Sequence, residues 1–152
     1  MNTNETIQEE FEYIFWTLLM TLPKHNPPSN YKEKFQMTLE ELQHLIDDGA
    51  DINMEEDRIY FKKPIDAAIN LYISKIYPGH SVYAEEIVYF LLSQKSLQLG
   101  FSTIRTAARD SKLTEDILRR CDDEMLDAID KRYDGVTPSL LEVFQGFGLK
   151  MF

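Results

Sequence analysis

Residues 45–53 read Leu-Ile-Asp-Asp-Gly-Ala-Asp-Ile-Asn, and no other stretch of the chain restricts its backbone as tightly. Leu45 and Ile46 close an apolar helix face. Gly49 stands where that helix must stop, because a left-handed residue after the last turn costs glycine no Cβ clash. Asp51 and Asn53 can then bond nearby backbone in a tight connector. Further along, Lys63-Pro64-Ile65-Asp66-Ala67-Ala68 places a proline at a first helical position, followed by small residues that let helices approach closely. Helix, glycine stop, Asx-rich connector and proline-led helix together predict a chain of short helices joined by tight turns.

The pattern recurs. Ser102-Thr103-Ile104-Arg105-Thr106-Ala107-Ala108 occupies the same slot as Lys63 to Ala68, and Asp134-Gly135-Val136-Thr137-Pro138-Ser139-Leu140 occupies it again. This series resembles the ankyrin repeat, whose pattern runs helix, Gly-Ala-Asp-x-Asn, hairpin, then Thr-Pro-Leu-His-x-Ala-Ala. Equating Lys63, Ser102 and Thr137 gives intervals of 39 and 35 residues, against a family period of about 33. The surplus in the first interval has a home at Ile76 to Ser81, which reads as a Pro-Gly turn between two helical patterns. The resemblance covers Thr38 to Phe147. It departs from the family in the histidine slot, which holds Asp66, Arg105 and Leu140, and in the second and third connectors, which lack Gly-Ala-Asp-x-Asn.

The fold implied is all-α, a short ankyrin-like α-solenoid of about three to four helix-turn-helix repeats with an N-terminal capping helix. A single domain spans residues 1–152. Within it, 1–37 form the N-terminal cap and loop and 38–62 the first helix end and a finger. Residues 63–101 and 102–136 are repeats, and 137–152 are a C-terminal cap.

Helical periodicity carries most of this reading. Ile7, Phe11, Ile14, Phe15, Leu18 and Leu22 fall on one stripe, with Thr6 and Glu9 as a capping box and Pro23 as the stop. Trp16 lies off that stripe and is expected to be partly exposed. Lys24 to Lys34, with Pro27 and Pro28, reads as an irregular loop. Thr38 and Glu41 form a second capping box ahead of Leu39, Leu42, Leu45 and Ile46. Pro64 opens a third helix with Ala68, Leu71 and Tyr72 inward, and Ser81 starts a fourth with Ala84, Ile87, Val88, Leu91 and Leu92 inward. Short helices are expected at Thr103 to Arg109 and at Thr114 to Cys121, a further turn or two around Met125 to Ile129, and a last helix from Thr137 to Phe144. Strand signal is confined to Arg58 to Phe61, one arm of a hairpin finger.

No apolar run reaches the roughly 18 residues of a membrane span. Glu5, Glu9 and Glu10 occupy the region where a signal peptide would be basic, and the single Cys121 suits a reducing compartment, so a cytoplasmic location, or delivery into a host cytosol, is expected.

Chemistry is sparse. His25, His44 and His80 show no ligand spacing, and Cys121 ends a helical stripe with no histidine near it in sequence. Asp122, Asp123, Glu124, Asp127 and Asp130 lack the alternation and terminal Glu of a calcium loop and read as a solvated acidic face. No phosphate-cradling glycine loop or nucleophile elbow is present. The expectation is therefore no catalytic residue, cofactor or metal.

Charge supplies the remaining clue. Acids outnumber bases 26 to 16, with most of the excess before Gln98. Such a surface disfavours nucleic acid and favours a basic protein partner, whose approach the field would steer; solubility alone is the rival explanation. Asp47, Asp48, Asp51, Glu55, Glu56 and Asp57 cluster on the first connector and finger. Through the resemblance, fingers and inner helices line a concave binding surface. The partner-binding set is therefore Asp51, Glu55, Glu56, Asp57, Tyr60, Phe61 and Tyr77, with Tyr72, Tyr83 and Tyr89 as further aromatics. The chain reads as a non-enzymatic protein-interaction module, a monomer or weak homodimer, that masks or inhibits its partner as an inhibitor, adaptor, immunity protein or microbial effector. Two rivals stand beside it. One is a small enzyme using His44 or His80 with nearby carboxylates. The other is a structural subunit of an oligomer, joined through an apolar end at Phe144, Phe147 and Phe152.

Overall fold

The structure is a computed structural model and describes residues 4–55, 63–74, 78–99, 101–107 and 110–120. All regular elements among the described residues are α-helices: α1 (Asn4–Met20), α2 (Tyr31–Asp47), α3 (Pro64–Ser74), α4 (Pro78–Leu92), α5 (Phe101–Ala107) and α6 (Ser111–Arg120). None is long and apolar enough to cross a membrane. The chain divides into two compact units, Met1–Leu97 and Gln98–Phe152.

In the first unit α1 packs on α2 and α3 on α4. The α1 stripe is buried at Ile7, Phe11, Phe15, Leu18 and Leu22, while Ile14 is half-buried. Phe11 and Phe15 stack one turn apart, with ring centroids 5.9 Å from each other. Trp16 is half-buried off that stripe, its indole edge-on to Phe15. α2 buries Phe35, Leu39, Leu42 and Leu45. Pro64 is the first residue of α3, where its missing N–H removes no helical bond. Pro64 to Ile69 are all buried, including Asp66 in the histidine slot of the repeat pattern. Ala84, Ile87, Val88 and Leu91 form the inner face of α4.

α2 and α4 lie side by side and run in the same direction. Phe35 meets Tyr83 at 4.8 Å between centroids, Gln36 donates to Glu86, and Gln43 pairs with Gln94. Contacts that climb together along both helices require parallel neighbours. Two helical hairpins that repeat the same direction of travel bring their second helices together in this way.

In the second unit α5 and α6 form a hairpin. Asp110 caps α6 by accepting from the Leu113 N–H at 2.9 Å, and the buried Thr114 hydroxyl donates to the carbonyls of Ala107 and Asp110. Leu113, Ile117 and Leu118 are buried.

Several boundaries differ from the sequence reading. α1 begins at Asn4, so Thr6 lies inside it rather than at its cap. α2 begins seven residues before Thr38, at Tyr31, and the Thr38 hydroxyl bonds back to the Lys34 carbonyl. The expected loop at Lys24 to Lys34 therefore ends at Asn30. Sequence periodicity missed this turn because Tyr31 and Phe35 are recruited by Tyr83, a contact some fifty residues away. α4 begins at Pro78, not Ser81, so Pro78 and Gly79 are helical rather than a Pro-Gly turn. α5 starts at Phe101 rather than Thr103, its expected end at Arg109 lies outside the described residues, and α6 starts three residues before Thr114, where Asp110 caps it. The expected strand at Arg58 to Phe61, the helices beyond Arg120, Cys121 and the apolar end at Phe144 to Phe152 lie outside the described residues.

Candidate functional site

The connector after α2 is built as its sequence demands. Gly49 has φ 114°, its N–H bonds the Ile46 carbonyl at 3.0 Å, and the Ala50 N–H bonds the Leu45 carbonyl at 2.9 Å. These two bonds are the Schellman arrangement, and Ala50 completes it by burying itself near Leu45. Ile52 turns inward and is buried. The Asp51 carboxylate accepts from the Asn53 N–H at 2.8 Å, closing an Asx turn.

This connector is braced on both sides. The Gln8 amide of α1 exchanges two hydrogen bonds with the Asp51 backbone, and the Asn53 amide donates to the Ser96 carbonyl at 2.9 Å. Ser96 belongs to the connector after α4, where Ser93 bonds Tyr89 and Gln94 bonds Leu91 just as Asp48 bonds His44 and Gly49 bonds Ile46 after α2. Beside it, Gln43 and Gln94 exchange amide hydrogen bonds at 3.1 and 2.7 Å, so the buried Gln94 side chain is satisfied. The result is a stiff turn with the carboxylates of Asp47, Asp48, Asp51 and Glu55 in solvent.

Of the expected partner-binding residues, the structure places Asp51 and Glu55 on this exposed connector. Glu56, Asp57, Tyr60, Phe61 and Tyr77 lie outside the described residues. Tyr72 and Tyr89 are half-buried on α3 and α4. Tyr83 is held among rings, 4.9 Å from Tyr31 and 4.8 Å from Phe35, and so supports α2 rather than standing free for a partner.

The histidines sit apart, in the exposed loop after α1 (His25), on the exposed face of α2 (His44) and in the first turn of α4 (His80). His44 shares a shallow surface dip with Glu40 and Glu41, which are its own neighbours along α2. Among the described residues, no group of three or more His, Cys, Asp or Glu is placed to hold a metal ion.

A second surface escaped the sequence reading. Between α1 and α2 runs an open groove of about 270 Å³, lined by Tyr13, Ile14, Leu18, Phe35, Thr38 and Glu41 among others. On these two helices Tyr13, Met20 and Met37 are 74%, 78% and 67% exposed. The available signal was the row Tyr13, Thr17, Met20, which follows helical spacing on the side of α1 away from its main stripe.

The described residues thus form an all-helical arrangement with a braced acidic turn after α2 and, separately, an open groove between α1 and α2. Compared with protein-family models, curated proteins and solved structures, the chain matches none.

Proposed function

We propose that the protein is a non-enzymatic binding module of ankyrin-like, stacked-hairpin build, which masks a basic protein partner with the acidic connector after α2. The observation that carries this reading is the bracing of that connector. Gln8 holds it from α1 and Asn53 ties it to the next connector, so its carboxylates are displayed by a turn that is already ordered. A preordered surface loses less conformational entropy on association, which favours binding as the turn's role. The adjacent parallel packing of α2 and α4 supports the stacked reading, since successive repeats bring equivalent helices together. The spacing is wider than in ankyrin proteins. Phe35 and Tyr83 are 48 residues apart and Gln43 and Gln94 are 51, against a family period of about 33.

The test begins with a partner recovered by affinity capture and identified by mass spectrometry. Its association rate is then measured against a variant carrying Asp51→Asn, Glu55→Lys, Glu56→Lys and Asp57→Lys. Asparagine at 51 removes the charge yet keeps an acceptor for the Asn53 N–H. Association should slow in the variant and lose much of its dependence on salt. A rate insensitive to both salt and the substitutions would assign the acidic connector to solubility alone.

A further inference from the structure

The groove between α1 and α2 opens on the side of α2 away from Gln36 and Gln43, which reach toward α4. α2 spends one row, Phe35, Gln36 and Gln43, on α4, and turns the row Lys34, Thr38, Glu41 toward the groove. α1 contributes Tyr13, Ile14, Thr17, Leu18 and Thr21 from the opposite wall. The floor is apolar, with Leu18 and Phe35 buried and Ile14 half-buried. Three of the most exposed large apolar side chains, Tyr13, Met20 and Met37, belong to the same two helices.

Charge decides between occupants. The antiparallel course of α1 and α2, shown by the Gln8 to Asp51 bonds, brings the Glu10 end of α1 to the Glu41 end of α2. Glu10 is exposed on α1 one turn before Ile14, and Glu40 with Glu41 borders the adjoining dip, whereas Lys34 alone supplies a positive charge to the lining. A second copy of a chain with net charge −10 would bring like charges onto this acidic end. A cationic amphipathic helix would meet both demands at once, with its apolar row on Ile14 and Leu18 and its lysines or arginines at Glu10 and Glu41.

We infer that this groove receives an amphipathic basic helix of a partner protein. The inference stands on the α1–α2 face and is independent of the acidic connector. The probe is a synthetic helical peptide of about four to five turns, with leucines at i, i+3, i+4 and i+7 and lysines flanking them. A matched peptide carries glutamate in place of lysine. Binding is followed by NMR of the full chain, through the methyl groups of Ile14 and Leu18. The lysine peptide should shift both methyls saturably, and Glu41→Lys should weaken it about tenfold, or 1.4 kcal/mol. Thr38→Arg should block the groove outright. Should Thr38→Arg fail to fold, the exposed Glu41→Lys, checked for an unchanged thermal transition, carries the decision alone. The connector variant should leave these methyl shifts intact, which separates this test from the previous one.

Three results would overturn the inference. The lysine peptide leaves Ile14 and Leu18 unmoved; the glutamate peptide shifts them as strongly; or sedimentation equilibrium shows a dimer that Glu41→Lys or Thr38→Arg alters, which would make a second copy the occupant.

Discussion

Gln8 and Asp51, 43 residues apart, are joined as two backbone strands would be. Nε2 of Gln8 donates to the Asp51 carbonyl at 3.0 Å, and the Asp51 N–H donates to Oε1 of Gln8 at 2.6 Å. One side chain thereby satisfies both polar groups of a residue in a turn, where no helix can do so. Gln8→Ala removes both bonds from a partly exposed site, so a loss of about 1–2 kcal/mol is expected in urea unfolding. Hydrogen exchange gives a sharper measurement: the Asp51 amide should lose protection, while amides in the middle of α4 keep theirs.

Gly49 isolates the cost of a backbone conformation. Its φ of 114° is hostile to side chains, yet a Cβ built there meets no atom within 4 Å. Gly49→Val should therefore destabilise by about 1–2 kcal/mol or more through strain alone. Gly49→Asn should lose clearly less, since asparagine tolerates left-handed positions. Equal losses in the two variants, measured by thermal unfolding, would point to crowding instead.

Gly79 poses the opposite problem. It is helical, and its N–H donates to the Lys24 carbonyl at 3.2 Å. A Cβ here would overlap the Pro23 carbonyl oxygen and lie 2.8 Å from that of His25. Alanine in place of a helical glycine ordinarily stabilises by about 1 kcal/mol. Here the clash is with backbone and should outweigh that gain, for a net loss of about 1–3 kcal/mol. A rise in melting temperature for Gly79→Ala would contradict the close approach of α4 to the loop after α1.

Tyr31 predicts a pH dependence. Burial, and secondarily the neighbouring Tyr83, raise its pKa above the ordinary 10.0. Below that value the phenol is neutral both folded and unfolded and contributes nothing to pH dependence. Above it the unfolded chain ionises first, so stability falls as pH rises through the folded-state pKa. Tyr31→Phe should shift the alkaline unfolding midpoint upward. At neutral pH it should be neutral or slightly stabilising, because the hydroxyl is buried without a hydrogen-bond partner among the described residues.

The residues that announced themselves in the sequence are those whose constraint is local. Gly49 needs a left-handed backbone for its helix to end, and Pro64 fits a first helical turn whatever lies around it. The apolar stripes of α1, α2 and α4 were legible because period and burial coincide, as at Phe11, Phe15, Leu42, Ile87 and Leu91. Asp51 and Glu55 could be placed on an exposed connector for the same reason. Features that depend on distant partners left no comparable trace. α2 gains its first turn because Tyr31 and Phe35 meet Tyr83, and Gly79 is required because the loop at Pro23 passes over it. Gln43 and Gln94 are ordinary polar residues in the sequence and become a reciprocal pair only when α2 and α4 lie parallel. The groove was hidden because Ile14 counts as core along a single helix. Only the packing of α2 against α1 leaves it half-open. Helical periodicity and turn chemistry act within a few residues and are written in the sequence, whereas the register between helices is set by side-chain packing across dozens of residues, which tertiary structure alone decides.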